Sequence, residues 1–201
     1  MIRIHNPVGY KIPRSITVAC SGGADSIAIT HFLAKNHDIT VAYFNHGTEF
    51  GEMSQEWLYE WCKSNSINFI TSRITRERNK NESKEEYWRN ERYNWIHSLS
   101  DPVITAHHLD DCVETWIWSS LNGEGKIIPY RNKNVIRPFR TNKKQEFVEW
   151  CERHNVEYLT DPSNSDPKYM RNYIRANMMP HILHVNPGID KVIRKKVIEQ
   201  L

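Results

Sequence analysis

Six consecutive residues, Ser21-Gly22-Gly23-Ala24-Asp25-Ser26, bring hydroxyls, a carboxylate and freely turning backbone directly behind a β-branched apolar stretch, SITVAC at 15–20. Where such a turn joins a strand to a helix, backbone N–H groups and the positive end of the helix dipole converge on one point, and an anion belongs there. Gly22 and Gly23 permit close backbone approach and positive φ, Ser21 and Ser26 offer hydroxyl donors, and no Walker lysine is present. Asp25 is out of place beside a bare phosphate. A carboxylate facing a polyphosphate makes sense when Mg²⁺ lies between them, since that ion takes hard oxygen ligands from both. The plainer reading, a tight turn with Ser or Asp as helix cap, accounts for one or two of these residues and not for the string. At roughly 5–7% usage per residue type, five fixed positions recur by chance in such a chain about once in ten thousand.

A second constellation lies in TAHHLDDCVET at 105–115, where His107 and His108 follow a short apolar run and acids open the next helix. Asp111 and Glu114 are three residues apart and share a helix face. Two carboxylates there can hold a cationic amine, and one can take the proton that must leave before nitrogen attacks. Helix capping by acids, and a metal site made from His107, His108 and Asp111, are the other readings. Arg89, Arg92 and Tyr93 fall at i, i+3 and i+4, and Arg171 and Arg175 lie four apart, so each set shares a face that solvent alone would also suit. Between residues 126 and 144, Lys126, Arg131, Lys133, Arg137, Arg140, Lys143 and Lys144 occur with no acid among them, which points to phosphate-backbone binding. Lys191, Arg194, Lys195 and Lys196 extend the basic track.

These groups need a frame. Residues 15–20 read as a buried parallel strand, a helix follows from Asp25, and ITVAYF at 39–44 is a second strand, which makes one βαβ unit. Helix is expected at 53–66, 83–99, 110–121 and 143–154, strand at 67–71 and 102–106, and loop from 122 to 139. A turn-rich stretch at 158–166 precedes a helix from Tyr169 to Pro180 and a last basic helix at 188–201. The expected fold is α/β: a parallel twisted sheet with helices on both faces, Rossmann-like, plus a short C-terminal helical appendage. Ligands in such sheets bind at the carboxyl ends of the strands, where both constellations fall.

Of 201 residues, 39% are apolar, 25% charged and 11% aromatic, a composition that folds and excludes disorder. A membrane span needs roughly eighteen apolar residues in a row and nothing here approaches that, nor does the N-terminus read as a signal peptide, so the cytoplasm is the expected compartment. Cys20, Cys62, Cys112 and Cys151 are spread apart and read as buried free thiols, not a zinc ribbon or chain-held cluster. A net charge of +3 is too weak to announce a nucleic-acid binder by itself.

The string SGGADS is the signature of pyrophosphatase-loop enzymes, which cleave ATP between the α and β phosphates to adenylate a carbonyl oxygen. With FNHG at 44–47, RNERY at 89–93, TAHHLDDCVET at 105–115, RPF at 137–139, DPSNSDPKYMRNYIR at 161–175 and Asn186-Pro187, the chain resembles the tRNA(Ile)-lysidine synthetases over nearly its whole length. The resemblance implies a tRNA-modifying ligase. ATP adenylates the 2-carbonyl oxygen of the wobble cytidine in an isoleucine tRNA with a CAU anticodon, and L-lysine then displaces AMP. It assigns Ser21, Gly22, Gly23, Ala24, Asp25 and Ser26, with Mg²⁺ on Asp25, to the nucleotide, and Asn45 and His46 to its adenosine. Asp111 and Glu114 would clasp lysine, and His107, Arg89 and Arg175 would contact phosphates or the activated base. Arg92, Arg131, Lys133, Arg137, Arg140, Arg171, Asn172 and Arg175 are the expected tRNA contacts.

Two departures stand out. Cys112 occupies the place of a usual Gln, and His46-Gly47-Thr48-Glu49-Phe50 replaces an HGLR-like string. Family members usually carry one or two further C-terminal domains that grip the tRNA. The chain therefore reads as a catalytic domain at 1–182 with a basic helical extension at 183–201, one that could rely on its basic segments, accept fewer or different tRNAs, or need a protein partner in place of the other domains. Two other functions fit the same residues: a relative that adenylates a tRNA base but delivers sulfur or another amine, and a module that binds tRNA or ATP without turnover.

Overall fold

The computed structural model describes residues 1–166, 168 and 170–200. The first strand, β1 (Ser15–Ala19), leads into helix α1 (Ala24–Ala34), and the pattern continues through β2 (Asp38–Asn45), α2 (Glu49–Ser64), β3 (Asn68–Arg73), α3 (Lys84–Ser98), β4 (Val103–Thr105) and α4 (Leu109–Leu121). A hairpin of two very short strands, β5 (Arg131–Asn132) and β6 (Val135–Ile136), precedes α5 (Lys144–His154). The sheet order is β3-β2-β1-β4-β6-β5, parallel throughout except for β5 against β6. The direction of winding therefore reverses between β1 and β4, and a crevice opens beyond their carboxyl ends.

Alternation along the strands sends neighbouring side chains to opposite faces. Ile16, Val18, Ile104 and Ile136 join α1, α2 and α5 in the main core through Ile27, Leu33, Leu58 and Phe147. Val103 and Val135, with Ala19 against them, pack instead on Ile96, Tyr93 and Trp95 of α3. The expected α/β architecture with helices on both faces is the one observed. All four cysteines are free and buried.

Three departures from the expected elements stand out among smaller shifts of one to three residues. Helix α2 begins at Glu49 instead of residue 53, because the Thr48 hydroxyl caps it by accepting from the Gly51 amide at 3.0 Å. The stretch expected as loop contains the β5–β6 hairpin, whose strands of two residues each are too short to carry a periodic signal. Its turn places Lys133 at φ 53°, the left-handed conformation that a β-branched residue would resist.

The helix expected to begin at Tyr169 has its first residue outside the described set, and Pro180 does not end it. Helix α6 (Met170–Tyr173) runs into a π-helical segment, Ile174–Met178, and then into α7 (Met179–Val185). The Met179 amide donates to the Ile174 carbonyl, five residues back, so Pro180 falls in a fresh first turn where its missing N–H costs little. The last helix, α8 (Ile189–Ile198), buries Ile189, Ile193 and Val197 against Leu109, Cys112, Val113 and Ile117 of α4. Residues beyond 182 thus share a core with the helix that opens the candidate site.

Candidate active site

Beyond Ala19 the chain turns through Gly22, whose φ of +85° is the left-handed region glycine tolerates. Leu159 docks there: its amide donates to the Gly22 carbonyl at 2.8 Å, and a Cβ on Gly22 would meet Leu159 Cδ1 at 3.2 Å. Gly23 is the extended N-cap of α1 and lends no side chain to the helix amides, which remain available to an anion. Ser26 departs from the role the sequence suggested. Its buried hydroxyl accepts from the Ser21 amide at 3.1 Å and donates to the Gly23 carbonyl at 3.0 Å, so it ties the turn to itself. Asp25 presents one oxygen to His108, and its Oδ1 is buried with no hydrogen-bond partner.

His108 is the hub between loop and α4, a role sequence reasoning passed over. It caps α4, with its amide donating to Asp111 Oδ2 at 3.0 Å. Its ring, 3% exposed, stands 3.5 Å from Asp25, 3.5 Å from Asp110 and 3.6 Å from Asp111. Burial alone would push the imidazole down, but Asp111, then Asp110 and Asp25, hold it up at about 10. Asp110 moves the other way, to about 2, because burial is outweighed by His108 and by the Lys144 amide. Three carboxylates around one ring favour the charged form. The Asp111 amide in turn approaches the ring Nδ1 at 3.3 Å, the second half of a capping box. The signal that could have found this residue is the His-x-x-Asp spacing of a capping box.

A cleft of about 530 Å³ opens over the loop, lined by Ser21, Gly23, Asp25 and Ser26, by His46, by His107 and Asp111, and by Arg92 and Arg171. Its far wall is aromatic. His46 stacks on Trp88 at 5.1 Å and 29°, and Lys84 lies 4.4 Å from the Trp88 ring. Burial first, then Arg92, drives His46 down to about 4, so the ring is neutral, and its Nδ1 is buried without a partner. His107 is likewise neutral, pushed to about 3 chiefly by burial, with its Nδ1 2.8 Å from the Thr105 hydroxyl. Arg92 is held below its usual range by burial first, with Arg89 and Arg171 adding like charge. Both Arg89 and Arg92 sit over the Tyr93 ring, at 4.9 and 5.7 Å. Trp88, Lys84 and Asp161 line this cleft and carried no signal of their own in the sequence.

Several expected site residues are elsewhere. Asn45 is buried behind the cleft, with its amide nitrogen donating to Glu52 and Gln55 and its oxygen accepting from Gly47, which fixes the β2–α2 turn. Asn172 is spent in the same way on the Ser163 and Asp166 carbonyls. Arg137 and Arg140, expected on tRNA, are interior residues at 3% and 2% exposure. Arg137 donates to the Pro129 carbonyl and the Tyr93 hydroxyl, and Arg140 to the Ile128 carbonyl and Gln200, so neither guanidinium reaches solvent phosphate. Arg131 and Lys133 are exposed on the β5–β6 hairpin at the sheet edge. Cys112 faces the core and not the cleft, and burial drives its thiol up to about 12.

Glu114 turns away from the loop. It lines a second cavity, of about 340 Å³, with Asp110, Lys143, Lys144, Arg175 and Asp190 at its other charged positions and Leu109, Val113, Met179 and Leu183 along its walls. The Arg175 Nε and Nη2 both donate to Glu114 Oε1 at 2.8 Å, and the other oxygen, Oε2, is buried with no partner. Asp111 and Glu114 therefore do not form a single clasp; one faces the cleft, the other the second cavity, and one turn of α4 lies between.

A glycine loop on a helix N-terminus at the switch point of a parallel sheet defines an α/β nucleotide-binding protein. Residues 2–182 match the PP-loop domain, an ATP-binding family, and the chain belongs to it. Membership brings ATP use with it. The chain is 31% identical over 192 residues to the tRNA(Ile)-lysidine synthase of Legionella pneumophila (strain Paris), covering 88% of this chain and 44% of that protein. Against the tRNA(Ile)-lysidine synthase of Staphylococcus aureus (strain MRSA252) it is 29% identical over 198 residues, covering 88% and 46%. The chain thus spans about half the length of the curated relatives it matches. Among solved structures, the U34-tRNA thiolase NcsA from Methanococcus maripaludis, with its 4Fe-4S cluster, superposes with a TM-score of 0.74 at 16% identity, covering 95% of this chain and 74% of that one, a likeness of fold. No helix among the described residues is long and apolar enough to cross a membrane.

Proposed function

We propose that the chain joins L-lysine to C2 of the wobble cytidine of an isoleucine tRNA with a CAU anticodon, through an adenylated tRNA, releasing pyrophosphate and AMP. The names of its relatives support the substrate, and one geometric observation carries the reading: two cavities flank the start of α4, one over the phosphate loop and one lined by Glu114 with its unpartnered oxygen. A two-step ligation needs a nucleotide site and an amine site close to one another.

In the first step the 2-carbonyl oxygen attacks the α-phosphorus as the bond to pyrophosphate breaks. Ser21 to Ala24 and the N-terminus of α1 hold the phosphates, and neutral His46 with Trp88 packs the adenosine. Asp25, with a buried and unpartnered oxygen, suits Mg²⁺, which takes most of its ligands from phosphates and water and needs no all-protein cage. When bound, that ion neutralises the polyphosphate charge. His107 is a neutral donor beside Asp111 on the base side, and Arg89, Arg92 and Arg171 meet tRNA phosphates, with Arg131 and Lys133 further along the surface.

In the second step the lysine ε-nitrogen bonds to C2, the C2–O bond breaks, and AMP leaves with the oxygen. Glu114 takes the amine's proton. Burial first, with Asp111 adding to it against Arg175, holds this carboxyl above its ordinary range and closer to the amine it must deprotonate. Residues 1–182 form the catalytic unit and 183–201 a basic extension, working in the cytoplasm, and a protein partner adds to the grip on tRNA.

The deciding experiment incubates the chain with ATP, Mg²⁺, labelled lysine and the CAU isoleucine tRNA, then digests the RNA and reads nucleosides by mass spectrometry. The expected product is a lysine-bearing cytidine. Product formed equally well without lysine, with sulfide or another amine in its place, would overturn the proposal, as would tRNA binding with no AMP released.

A further inference from the structure

The second cavity has more polar chemistry than a single amine requires. Glu114 is 5% exposed at its side chain and leaves Oε2 unpartnered in the cavity, which suits one ammonium. Arg175 is committed to the other Glu114 oxygen, and Asp110 to His108 and to the Lys144 amide. Besides the Lys144 side chain, that leaves one ion pair in the lining. Lys143, the N-cap of α5, reaches Asp190 in the first turn of α8 at 2.6 Å, with their side chains 50% and 24% exposed.

Lys143 and Asp190 also border a depression along α8 with Lys191 and Arg194. Val113, Met179 and Leu183 give the cavity aliphatic wall. The cavity therefore combines an ion pair, apolar surface and a lone carboxylate oxygen. An α-amino acid with a long alkyl chain and a terminal amine has the same three parts. Its carboxylate and α-ammonium can exchange with the Lys143–Asp190 pair, and a half-exposed pair of this kind opens at little cost.

We propose that Lys143 and Asp190 read the α-amino-acid head group of the amine substrate, Lys143 taking the carboxylate and Asp190 the α-ammonium, while Glu114 receives the distal amine. The inference rests on the function proposed above and goes further: it makes α8, outside the matched PP-loop domain, part of the substrate site. It also says why a simple diamine would be refused.

The test compares lysine with 1,5-diaminopentane, which keeps both amines and lacks the carboxylate, in the tRNA-modification assay with the full chain. The wild type should prefer lysine in kcat/KM by about ten- to a hundredfold, the range expected for one charge-assisted contact. Lys143→Gln should raise the KM for lysine about tenfold or more with kcat little changed, leave diamine incorporation as it was, and bring the preference towards one; Lys143→Arg should restore part of it. Asp190→Asn should raise the KM for lysine and for the diamine alike, since both carry the amine it receives, and keep the preference. Undiminished diamine turnover shows that the Lys143 variant is folded. A wild-type preference kept in Lys143→Gln, or a diamine KM unmoved in Asp190→Asn, overturns this inference alone. A wild type that incorporates no lysine overturns the function on which it rests.

Discussion

The loop cleft and the second cavity lie on either side of one helical turn and are built from opposite materials. The cleft works through backbone: six consecutive residues whose hydroxyl at Ser26 is spent inward, leaving amides and a helix N-terminus to face an anion. The cavity works through side chains drawn from α4, α5, the π-helical segment and α8. Backbone recognition of phosphate is indifferent to what the phosphate belongs to, so the cleft fixes a reaction class. Side chains held in set positions can discriminate between amines, so under the proposed function the cavity is where the substrate would be chosen. The two halves of the molecule should therefore fail differently.

Asp25→Ala offers the largest effect and the sharpest break. It removes the carboxylate next to the phosphates, and AMP formation should fall about a thousandfold, in line with loss of one electrostatic group at a reacting centre, with tRNA affinity in a filter assay nearly unchanged. Equal loss of tRNA binding would mean that cleft and RNA surface are not separate. Glu114→Gln should divide the two steps: tRNA-dependent pyrophosphate release persists, whereas lysine transfer drops about a hundredfold for want of a proton acceptor. If both steps fall together in single-turnover measurements, the division between cleft and cavity is wrong.

This contrast in materials also governs what could be read from the sequence. The loop was legible because its residues are contiguous and their types are dictated by φ and by the approach of phosphate. The parallel sheet was legible because β-branched runs alternate with helical ones. Asp111 and Glu114 were found as a pair from spacing three, yet that spacing does not say that one looks over the loop and the other under α4. Nor could spacing show that Arg137 and Arg140 point inward, since a basic run reads alike whether it is solvated or bonded to carbonyls. Asp190 and Lys143 stand 47 positions apart and meet only because α8 folds back on α4. Nothing local announces that.

The glycine turn gives a smaller, structural break. Gly22→Ala should cost about 1–3 kcal/mol in urea denaturation, from the left-handed φ together with the contact to Leu159 Cδ1 at 3.2 Å. Adding Leu159→Ala should relieve the contact but not the φ cost; full restoration would show that the backbone conformation is unimportant. The cleft histidines add a pH dependence. His46 and His107 are held neutral, at about 4 and about 3, below the 6.5 of a free imidazole, so the unfolded chain binds more protons as acid is added. Their contribution is present above pH 6.5 and is lost as pH falls through about 4 and then about 3. His108, already charged in the folded state below that free value, adds no slope there. Denaturation midpoints should fall between pH 6.5 and 4, and His46→Phe should flatten the decline; a variant with the wild-type slope would contradict the neutral assignment.

The smallest effects distinguish two kinds of arginine. Arg92 lines the cleft beside Arg171, and Arg92→Ala should weaken tRNA binding about tenfold and lower the salt dependence of affinity by about one unit of slope. Arg140 is charged, 2% exposed and leaves its Nε and Nη2 without partners, while Nη1 bonds the Ile128 carbonyl and Gln200. An interior cation so poorly compensated is replaced by an apolar chain of similar length at little cost, or with a gain. Arg140→Met should therefore leave tRNA affinity and its salt slope within error of the wild type and shift the melting temperature by a few degrees at most, in either direction. A salt slope reduced in Arg140→Met as it is in Arg92→Ala would mean that this guanidinium leaves the interior when tRNA binds, and the inner surface of the β5–β6 hairpin would then belong to the RNA site.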